Sequence, residues 1–336
     1  MKKKTAVVLI NLGTPDSPKT SDVRRYLFQF LNDKRVIDLP YLLRKILVNG
    51  IIVPFRAPKS AKIYKELWTE AGSPLLLHAE ELAKKVQHIL GEEYDVYHAM
   101  RYQNPSLKSV LNEVSKTHPD EIICFPLYPQ YASSSTGSTF EEIMNVVKDW
   151  WVIPQLKILG QFYNNEQYID AICRRAGNFD LESYDHIVFS YHGLPTRQVD
   201  KVYGEGLCTD RDCENEINRE NLYCYKASCY ATTRAIVEKL KIPEDRYTVA
   251  FQSRLDKNWL TPFSDKVVEE KGKEGMKRLL FFSPAFVADC LETTIEIGTE
   301  YQEIFEEHGG EKVDLVPSLN AEDDWAQAVS EMVKVN

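Results

Sequence analysis

A histidine at position 192 directly follows an apolar segment of strand length, in the run FSYHGLP over residues 189–195. Gly193 and Pro195 predict a turn, and open α/β sheets build their binding sites in such turns at the carboxyl ends of strands. Imidazole, with an ordinary pKa of about 6.5, can accept a proton near neutral pH or bind a metal ion. His192 is therefore a candidate catalytic residue. The alternative is a histidine that only hydrogen-bonds to backbone in a packed turn.

Residues 282–300 repeat the pattern of strand, turn and helix, and the helix carries a row of acidic side chains. The row consists of Glu292, Glu296, Glu300 and Glu303. Like charges four residues apart cost a helix roughly 0.2–0.5 kcal/mol per pair, and no intervening Lys or Arg offsets that cost. A solvated face is the usual interpretation of such a row. Because the charges are uncompensated, we favour a path for cations or protons.

Four of the seven cysteines lie within 22 residues, spaced C-x4-C-x10-C-x4-C. They are Cys208, Cys213, Cys224 and Cys229. In a reducing compartment this clustering indicates metal binding rather than disulfides, and the hydrophilic segment around it has little apolar material to fold on. Four thiolates suit either Zn²⁺ or a [2Fe–2S] centre, and unrelated free cysteines are the remaining alternative.

Composition limits the class of protein to which these residues belong. The chain has 336 residues, 43% of them hydrophobic, with 41 Lys+Arg against 50 Asp+Glu. A net charge of −9 argues against a nucleic-acid partner. No G-x-G-x-x-G or P-loop motif follows a strand, so nucleotide binding has no support. The N-terminus lacks the pattern of a targeting signal, which predicts a cytoplasmic protein.

Residues 41–55 form the most apolar stretch, but Arg44, Lys45 and Pro54 interrupt it. It falls short of the ~20 apolar residues that a membrane-spanning helix needs. Its apolar and basic residues alternate in a way that suits peripheral contact with a membrane surface. An ordinary buried helix hairpin is the alternative.

Strand-length apolar runs alternate with helical periodicity, which predicts an α/β protein of two units, each a four-stranded parallel sheet flanked by helices. Residues 1–163 are the predicted N-terminal domain, to which segment 312–336 returns. Residues 164–311 are the predicted C-terminal domain, with a cysteine-rich insertion at 204–229. The predicted strands are 5–11, 94–99, 120–127, 153–160, 186–191, 246–252, 277–283 and 312–316.

Taken together, these segments resemble ferrochelatase, the enzyme family that inserts Fe(II) into a porphyrin at the end of haem synthesis. The resemblance covers nearly the whole chain. Its pieces are LINLGTP at 9–15, VRRYL at 23–27, AMRY at 99–102, PLYPQY at 126–131, SYHGLP at 190–195, FQS at 251–253, WL at 259–260 and SPAFVADCLET at 283–293.

The resemblance implies two Rossmann-like domains with a porphyrin cleft between them. It also implies an essential histidine at His192 and an essential glutamate at Glu292. Glu296 would lie one turn further on as a possible relay. The family's Arg-Tyr pair falls on Arg101 and Tyr102. Trp259 corresponds to a tryptophan at the family's cleft. Tyr131 corresponds, more loosely, to a position in the family's pocket. Cys290 stands where many members of the family carry a histidine.

Metallation removes two pyrrole N–H protons while Fe²⁺ is delivered, so an imidazole and a carboxylate suit the task. The resemblance therefore implies Fe²⁺ and protoporphyrin IX as substrates, with protohaem as product. Because some ferrochelatases carry a [2Fe–2S] cluster, that cofactor is favoured over Zn²⁺. The alternatives are a chelatase for another metal or tetrapyrrole, such as cobalt or coproporphyrin, and a haem or metal carrier without turnover.

Overall fold

A computed structural model describes residues 3–208 and 211–335. Its eight strands form two all-parallel sheets of four strands each, which confirms the predicted fold class. The strands are β1 Thr5–Gly13, β2 Tyr94–Tyr102, β3 Glu121–Pro126, β4 Gln155–Ile158, β5 His186–His192, β6 Tyr247–Gln252, β7 Arg278–Phe282 and β8 Lys312–Leu315.

Helices connect the strands, as parallel pairing requires. The α-helices are α1 Thr20–Leu31, α2 Tyr41–Leu47, α3 Val53–Leu67, α4 Pro74–Leu90, α5 Leu107–Lys116, α6 Ser138–Val147, α7 Glu166–Ala176, α8 Thr196–Asp200, α9 Tyr225–Leu240, α10 Ser264–Lys273, α11 Gln302–Glu307 and α12 Asp323–Val335. π-Helical segments occupy Val48–Ile52, Ser133–Gly137 and Glu292–Tyr301, and short 3₁₀ turns occupy Leu181–Ser183 and Glu244–Arg246.

The first sheet has the order β2-β1-β3-β4, with β1 paired to both neighbours. Residues 5–10 of β1 are all buried, as expected for a central strand covered on both faces. Ala6, Val8 and Ile10 form one core with apolar side chains of α5 and α6.

The second sheet has the order β6-β5-β7-β8. The chain crosses from β5 to β6 on one side and then to β7 on the other, so the strand order reverses beside β5. Open α/β sheets bind ligands at the carboxyl ends of strands beside such a reversal. His192, the last residue of β5, occupies this place.

The chain divides into two compact units. Unit 1 comprises 1–128, 132–161 and 320–336, and unit 2 comprises 129–131 and 162–319. Segment 312–319 belongs to unit 2, because β8 pairs with β7. The return to unit 1 therefore begins at Asn320 rather than at residue 312.

Helices α2 and α3 follow one another through the π-helical segment at residues 48–52, and together they carry the apolar stretch singled out above. Among residues 3–208 and 211–335, no helix combines the length and the apolar character needed to cross a bilayer.

Candidate active site and metal centre

The ring of His192 is fixed in a specific orientation at the end of β5. Its Nδ1 lies 2.6 Å from the carbonyl oxygen of Gly193. A carbonyl oxygen can only accept a hydrogen bond, so Nδ1 carries the proton in the neutral ring and Nε2 keeps its lone pair. No residue in the described part of the chain bonds to Nε2. The half-buried ring thus presents one basic nitrogen for a proton or a metal ion.

Two aromatic side chains flank this imidazole. The ring of Trp259 lies 6.4 Å from it and that of Phe286 lies 6.3 Å from it, between ring centroids. The backbone at Gly193 must approach closely, since a Cβ there would lie 2.7 Å from the Gln252 carbonyl oxygen and 3.2 Å from the Trp259 ring. Only glycine fits at position 193.

Gln252, at the end of β6, connects the histidine turn to the helix that carries the acidic row. Its backbone carbonyl accepts a hydrogen bond from the Gly193 N–H at 2.7 Å. Its side-chain oxygen accepts from Ser190, which leaves Nε2 to donate to the Glu292 carbonyl oxygen at 2.9 Å and to Glu296 at 3.1 Å. This fully buried amide has every polar group bonded, so it fixes both candidate segments. Sequence reasoning gave Gln252 no role beyond membership of a family motif.

The acidic row lies on a π-helix, Glu292–Tyr301, which we call the acidic π-helix, and runs on into α11. The α-helical spacing assumed from the sequence is therefore wrong here: hydrogen bonds from i to i+5 widen each turn, and residues five apart become neighbours. Tyr301 accordingly donates to the Glu296 carboxylate at 3.0 Å. Glu292 and Glu296 are half-buried, whereas Glu300 and Glu303 are exposed.

Glu296 is held by four donors. Besides Gln252 and Tyr301, the backbone N–H of Ser253 donates to it at 2.8 Å and the Ser253 hydroxyl at 2.5 Å. Ser253 adopts a positive φ of 61°, a conformation that turns both of its donors onto one carboxylate. Glu296 is therefore a fixed anion with little freedom to move.

Glu292 is the first residue of the acidic π-helix, and its carboxylate lies beside the thiol of Cys290. Burial and this neighbouring charge raise the pKa of Cys290 well above its ordinary value. The thiol stays neutral and contributes a weak donor rather than a second anion. The Glu292 carboxylate is thus less constrained than that of Glu296.

Arg101 and Tyr102 lie in unit 1, where both bind Asp33. The guanidinium and the phenol each approach the same Asp33 oxygen at 2.9 Å, and Ser138 donates to it at 2.5 Å. Burial raises the pKa of Asp33, but the bonds from Ser138 and the Arg35 N–H, with the charge of Arg101, outweigh it and hold the pKa below its ordinary value. Burial raises that of Tyr102. Both predicted substrate-binding residues are therefore already engaged within the protein.

Tyr131 belongs to unit 2 and is half-buried. Its ring packs edge-to-face against Tyr223, with 5.6 Å between centroids. Tyr223 directly precedes Cys224, so the predicted pocket residue contacts the cysteine-rich insertion.

Three of the four clustered cysteines come together. The sulfurs of Cys208, Cys213 and Cys224 all lie within 4.8 Å of one another, and all three residues are buried. Thiolates bound to one tetrahedral ion at ~2.3 Å would lie roughly 3.8 Å apart, so this group fits metal ligation. Hydrogen bonds from Cys208 and Cys213 lower the pKa of Cys224, as does the N–H of Ala227 in the first turn of α9.

Cys229 is not a member of this group of three. It lies inside α9, fully buried beside Tyr225, and burial raises its pKa. Between residues 204 and 224, the buried residues that the structure describes are Cys208, Cys213, Asn221 and Cys224. The sulfurs thus form the interior of the insertion, as expected where ligation organises a loop.

The chain is similar to known proteins over nearly its whole length. Residues 4–336 match the ferrochelatase family profile. A ferrochelatase of Legionella pneumophila strain Lens is 41% identical over 331 residues, covering 98% of both chains. One of Coxiella burnetii is 40% identical over 336 residues, covering 98% of this chain and 93% of the relative.

Solved structures show the same fold at low identity. The protein SirB from Bacillus subtilis with Fe³⁺ has a TM-score of 0.55 and 12% identity, covering 98% of this chain and 94% of that one. The sirohydrochlorin chelatase SirB in complex with cobalt has a TM-score of 0.54 and 11% identity, with the same coverage. At this identity the likeness concerns the fold alone.

Proposed function

Because the chain belongs to the ferrochelatase family, which inserts Fe(II) into protoporphyrin IX to form protohaem, we propose that His192 and Glu292 carry that reaction here. The observation that most supports this is the Nε2 atom of His192, to which no described residue bonds. Gln252, on the neighbouring strand β6, connects the histidine turn to the acidic π-helix by hydrogen bonds. The reaction consumes Fe²⁺ and free porphyrin and releases two protons. A proton acceptor and a carboxylate are the groups that it needs.

In this proposal Nε2 of His192 accepts pyrrole protons, and the Glu292 carboxylate binds the incoming Fe²⁺ or relays protons away. Imidazole and carboxylate are both acceptable Fe²⁺ ligands, so His192 can also bind the metal. Glu296, fixed by four donors, adds a negative charge without moving. The row continues to exposed Glu300 and Glu303, which gives cations and protons a route to solvent.

Trp259 and Phe286 are proposed as apolar walls that support the macrocycle near His192. Metallation requires a bent porphyrin, because flat pyrrole nitrogens do not present their lone pairs to a metal, and rigid walls favour the bent form. Tyr131 is proposed as a further ring contact. Arg101 and Tyr102 are also proposed to contact the porphyrin. Because both side chains are bound to Asp33, they would do so without changing position.

Multiple turnover with Fe²⁺ and protoporphyrin IX tests the proposed function. A chelatase converts many equivalents of porphyrin to haem, whereas a carrier gives a stoichiometric binding spectrum and stops. Parallel assays with coproporphyrin and with Co²⁺ decide between the proposed substrates and the alternative chelatase. Faster turnover with either replacement would overturn the protoporphyrin or the iron assignment.

We also propose that Cys208, Cys213, Cys224 and Cys229 hold a [2Fe–2S] cluster, with Zn²⁺ as the alternative. The three assembled sulfurs support a metal centre, and Cys229, five residues beyond Cys224, is the candidate fourth ligand. When bound, the cluster would cross-link α9 to the loop after α8, and these thiols, not His192 or Glu292, would hold it.

Cys213→Ser is expected to abolish this centre, since it removes one of three clustered sulfurs. Purified wild-type protein should be reddish, with visible absorption bleached by dithionite, and the variant should lose both the colour and thermal stability. Cys173→Ser, a half-buried cysteine outside the cluster, is the matched control. Colourless, metal-free and fully active wild-type protein would contradict the proposal, and bound zinc would decide for the alternative.

A third proposal concerns residues 41–55, whose exposed apolar side chains we call the apolar surface. Its members are Tyr41, Leu42, Leu43, Ile46, Ile51 and Phe55, each more than half exposed. Exposed Arg56 and Lys59 follow it and suit anionic lipid headgroups. Arg44, expected among these basic residues, is instead buried, because it donates to the carbonyls of Ile37 and Leu39. The apolar surface is proposed to rest on a membrane and collect poorly soluble porphyrin.

The double variant Leu43→Glu/Ile46→Glu is expected to lower liposome association at least tenfold, because two exposed side chains no longer enter the lipid interface. Flotation on vesicles with anionic lipid measures this. Trp151→Glu/Val152→Glu alters another exposed apolar pair and serves as control. Unchanged flotation of the first variant, or a loss confined to the second, would refute the proposal.

A further inference from the structure

Unit 1 contains a cavity of about 530 Å³, and the substrate contacts proposed for Arg101 and Tyr102 account for only part of its wall. Its walls come from α1, α2, α5, α6 and the end of β2. The acidic residues that line it are all paired: Asp33 and Glu142 with Arg101, and Glu141 with Lys34.

Two cations on the cavity wall have no counter-charge among the residues that the structure describes. Arg44 is only 7% exposed, donates through Nη1 to two backbone carbonyls, and pairs with no carboxylate among the described residues. Lys108 likewise forms no ion pair within the part of the chain that the structure describes. A buried guanidinium without an anion is unfavourable, so this wall favours a negatively charged occupant.

Buried amide atoms of Gln103 and Asn32, on the same wall, also lack partners among the described residues. Gln103, 3% exposed, has neither its side-chain oxygen nor its nitrogen bonded, and the side-chain oxygen of Asn32 is unbonded too. Gln103 adopts a positive φ of 67°, and its backbone N–H donates a hydrogen bond to the side-chain oxygen of Gln29. Unpaired acceptors need a donor, and a hydroxyl group on the ligand supplies one.

We propose that this cavity binds a small hydroxycarboxylate, or the carboxylate of a larger molecule, with Arg44 as the anchor. The carboxylate pairs with the Arg44 guanidinium and with Lys108. The Asn32 side-chain oxygen accepts a hydrogen bond from a hydroxyl of the ligand, and the Gln103 side-chain nitrogen donates to a carboxylate oxygen. The site is independent of the roles proposed for His192 and Glu292.

Calorimetric titration with citrate tests the site, because citrate carries carboxylates as well as a hydroxyl group. Inorganic phosphate is the comparison ligand. Citrate should bind saturably and more tightly than phosphate. Arg44→Gln should weaken it by about ten- to hundredfold, the usual effect of losing a charged hydrogen bond. Lys108→Gln, an exposed position that cannot compromise folding, should weaken it less, and Lys116→Gln should change nothing.

Protoporphyrin IX and its dimethyl ester distinguish the two sources of the carboxylate. If Arg44→Gln weakens binding of the free acid but not of the ester, a porphyrin carboxylate occupies the cavity; if citrate binds without displacing porphyrin, a separate molecule does. Thermal melting of each variant reports its folding. The proposal fails if neither citrate nor the free acid distinguishes wild type from folded Arg44→Gln and Lys108→Gln, or if phosphate binds and citrate does not. His192→Ala should bind citrate normally, so failure here leaves the catalytic proposal intact.

Discussion

His192→Ala is expected to lower the turnover of Fe²⁺ insertion by about 10²–10⁴-fold, the range typical of a lost general base, without unfolding the protein. The ring is half-buried, and its one hydrogen bond within the described part of the chain goes to the carbonyl of the adjacent Gly193. Its removal therefore breaks no long-range hydrogen bond and loses only ring contacts with Trp259 and Phe286. Single-turnover and steady-state haem formation measure the loss, and thermal melting measures the fold.

Two controls separate loss of the base from disturbance of the turn. His192→Asn keeps a donor toward the Gly193 carbonyl but has no basic nitrogen, so it should be as inactive as His192→Ala. Added imidazole should partly restore His192→Ala, because removing the ring leaves room for one beside Trp259 and Phe286. Near-normal turnover in a folded His192→Ala protein would contradict the assignment.

The eight strands and their parallel arrangement could be predicted because buried parallel strands appear as short, continuous apolar runs. β1 and β5 are such runs, and both are central strands of their sheets. The place where the chain returns to unit 1 could not be predicted, since β8 is a short edge strand of mixed polarity. Its pairing with β7 decides its unit, and that pairing leaves no local signal.

The site was predictable where its chemistry depends on residue type and position after a strand, as for His192. It was not predictable where contacts between distant segments fix a side chain. Gln252 lies 40 residues before Glu292, to whose carbonyl it donates, and only the fold brings them together. The π-helical winding at Glu292–Tyr301 was also missed, because its apolar stripe fits an α-helix nearly as well.

The acidic π-helix separates a reactive carboxylate from a structural one, and this division can be measured. Glu292→Gln is expected to lower turnover by about 10²-fold or more, because it removes the charge offered to Fe²⁺ and protons. Its stability should change little, since the contact with Gln252 uses the backbone carbonyl of Glu292, and the neighbouring Cys290 thiol can still donate to an amide oxygen.

Glu296→Gln should instead destabilise the protein by ~1–3 kcal/mol. The new amide nitrogen is itself a donor, so it would face a donor of Ser253 or Tyr301 and leave that donor without an acceptor. For domains of this size that corresponds to a fall in melting temperature of roughly 2–12 °C. Ser253→Ala, which removes one donor and keeps the carboxylate charge, should cost less stability than Glu296→Gln. If Glu292→Gln melts early and turns over normally while Glu296→Gln melts normally and is inactive, the two roles are exchanged. In that case Glu296, held by its four donors, is the reacting carboxylate, and Glu292 is the structural one.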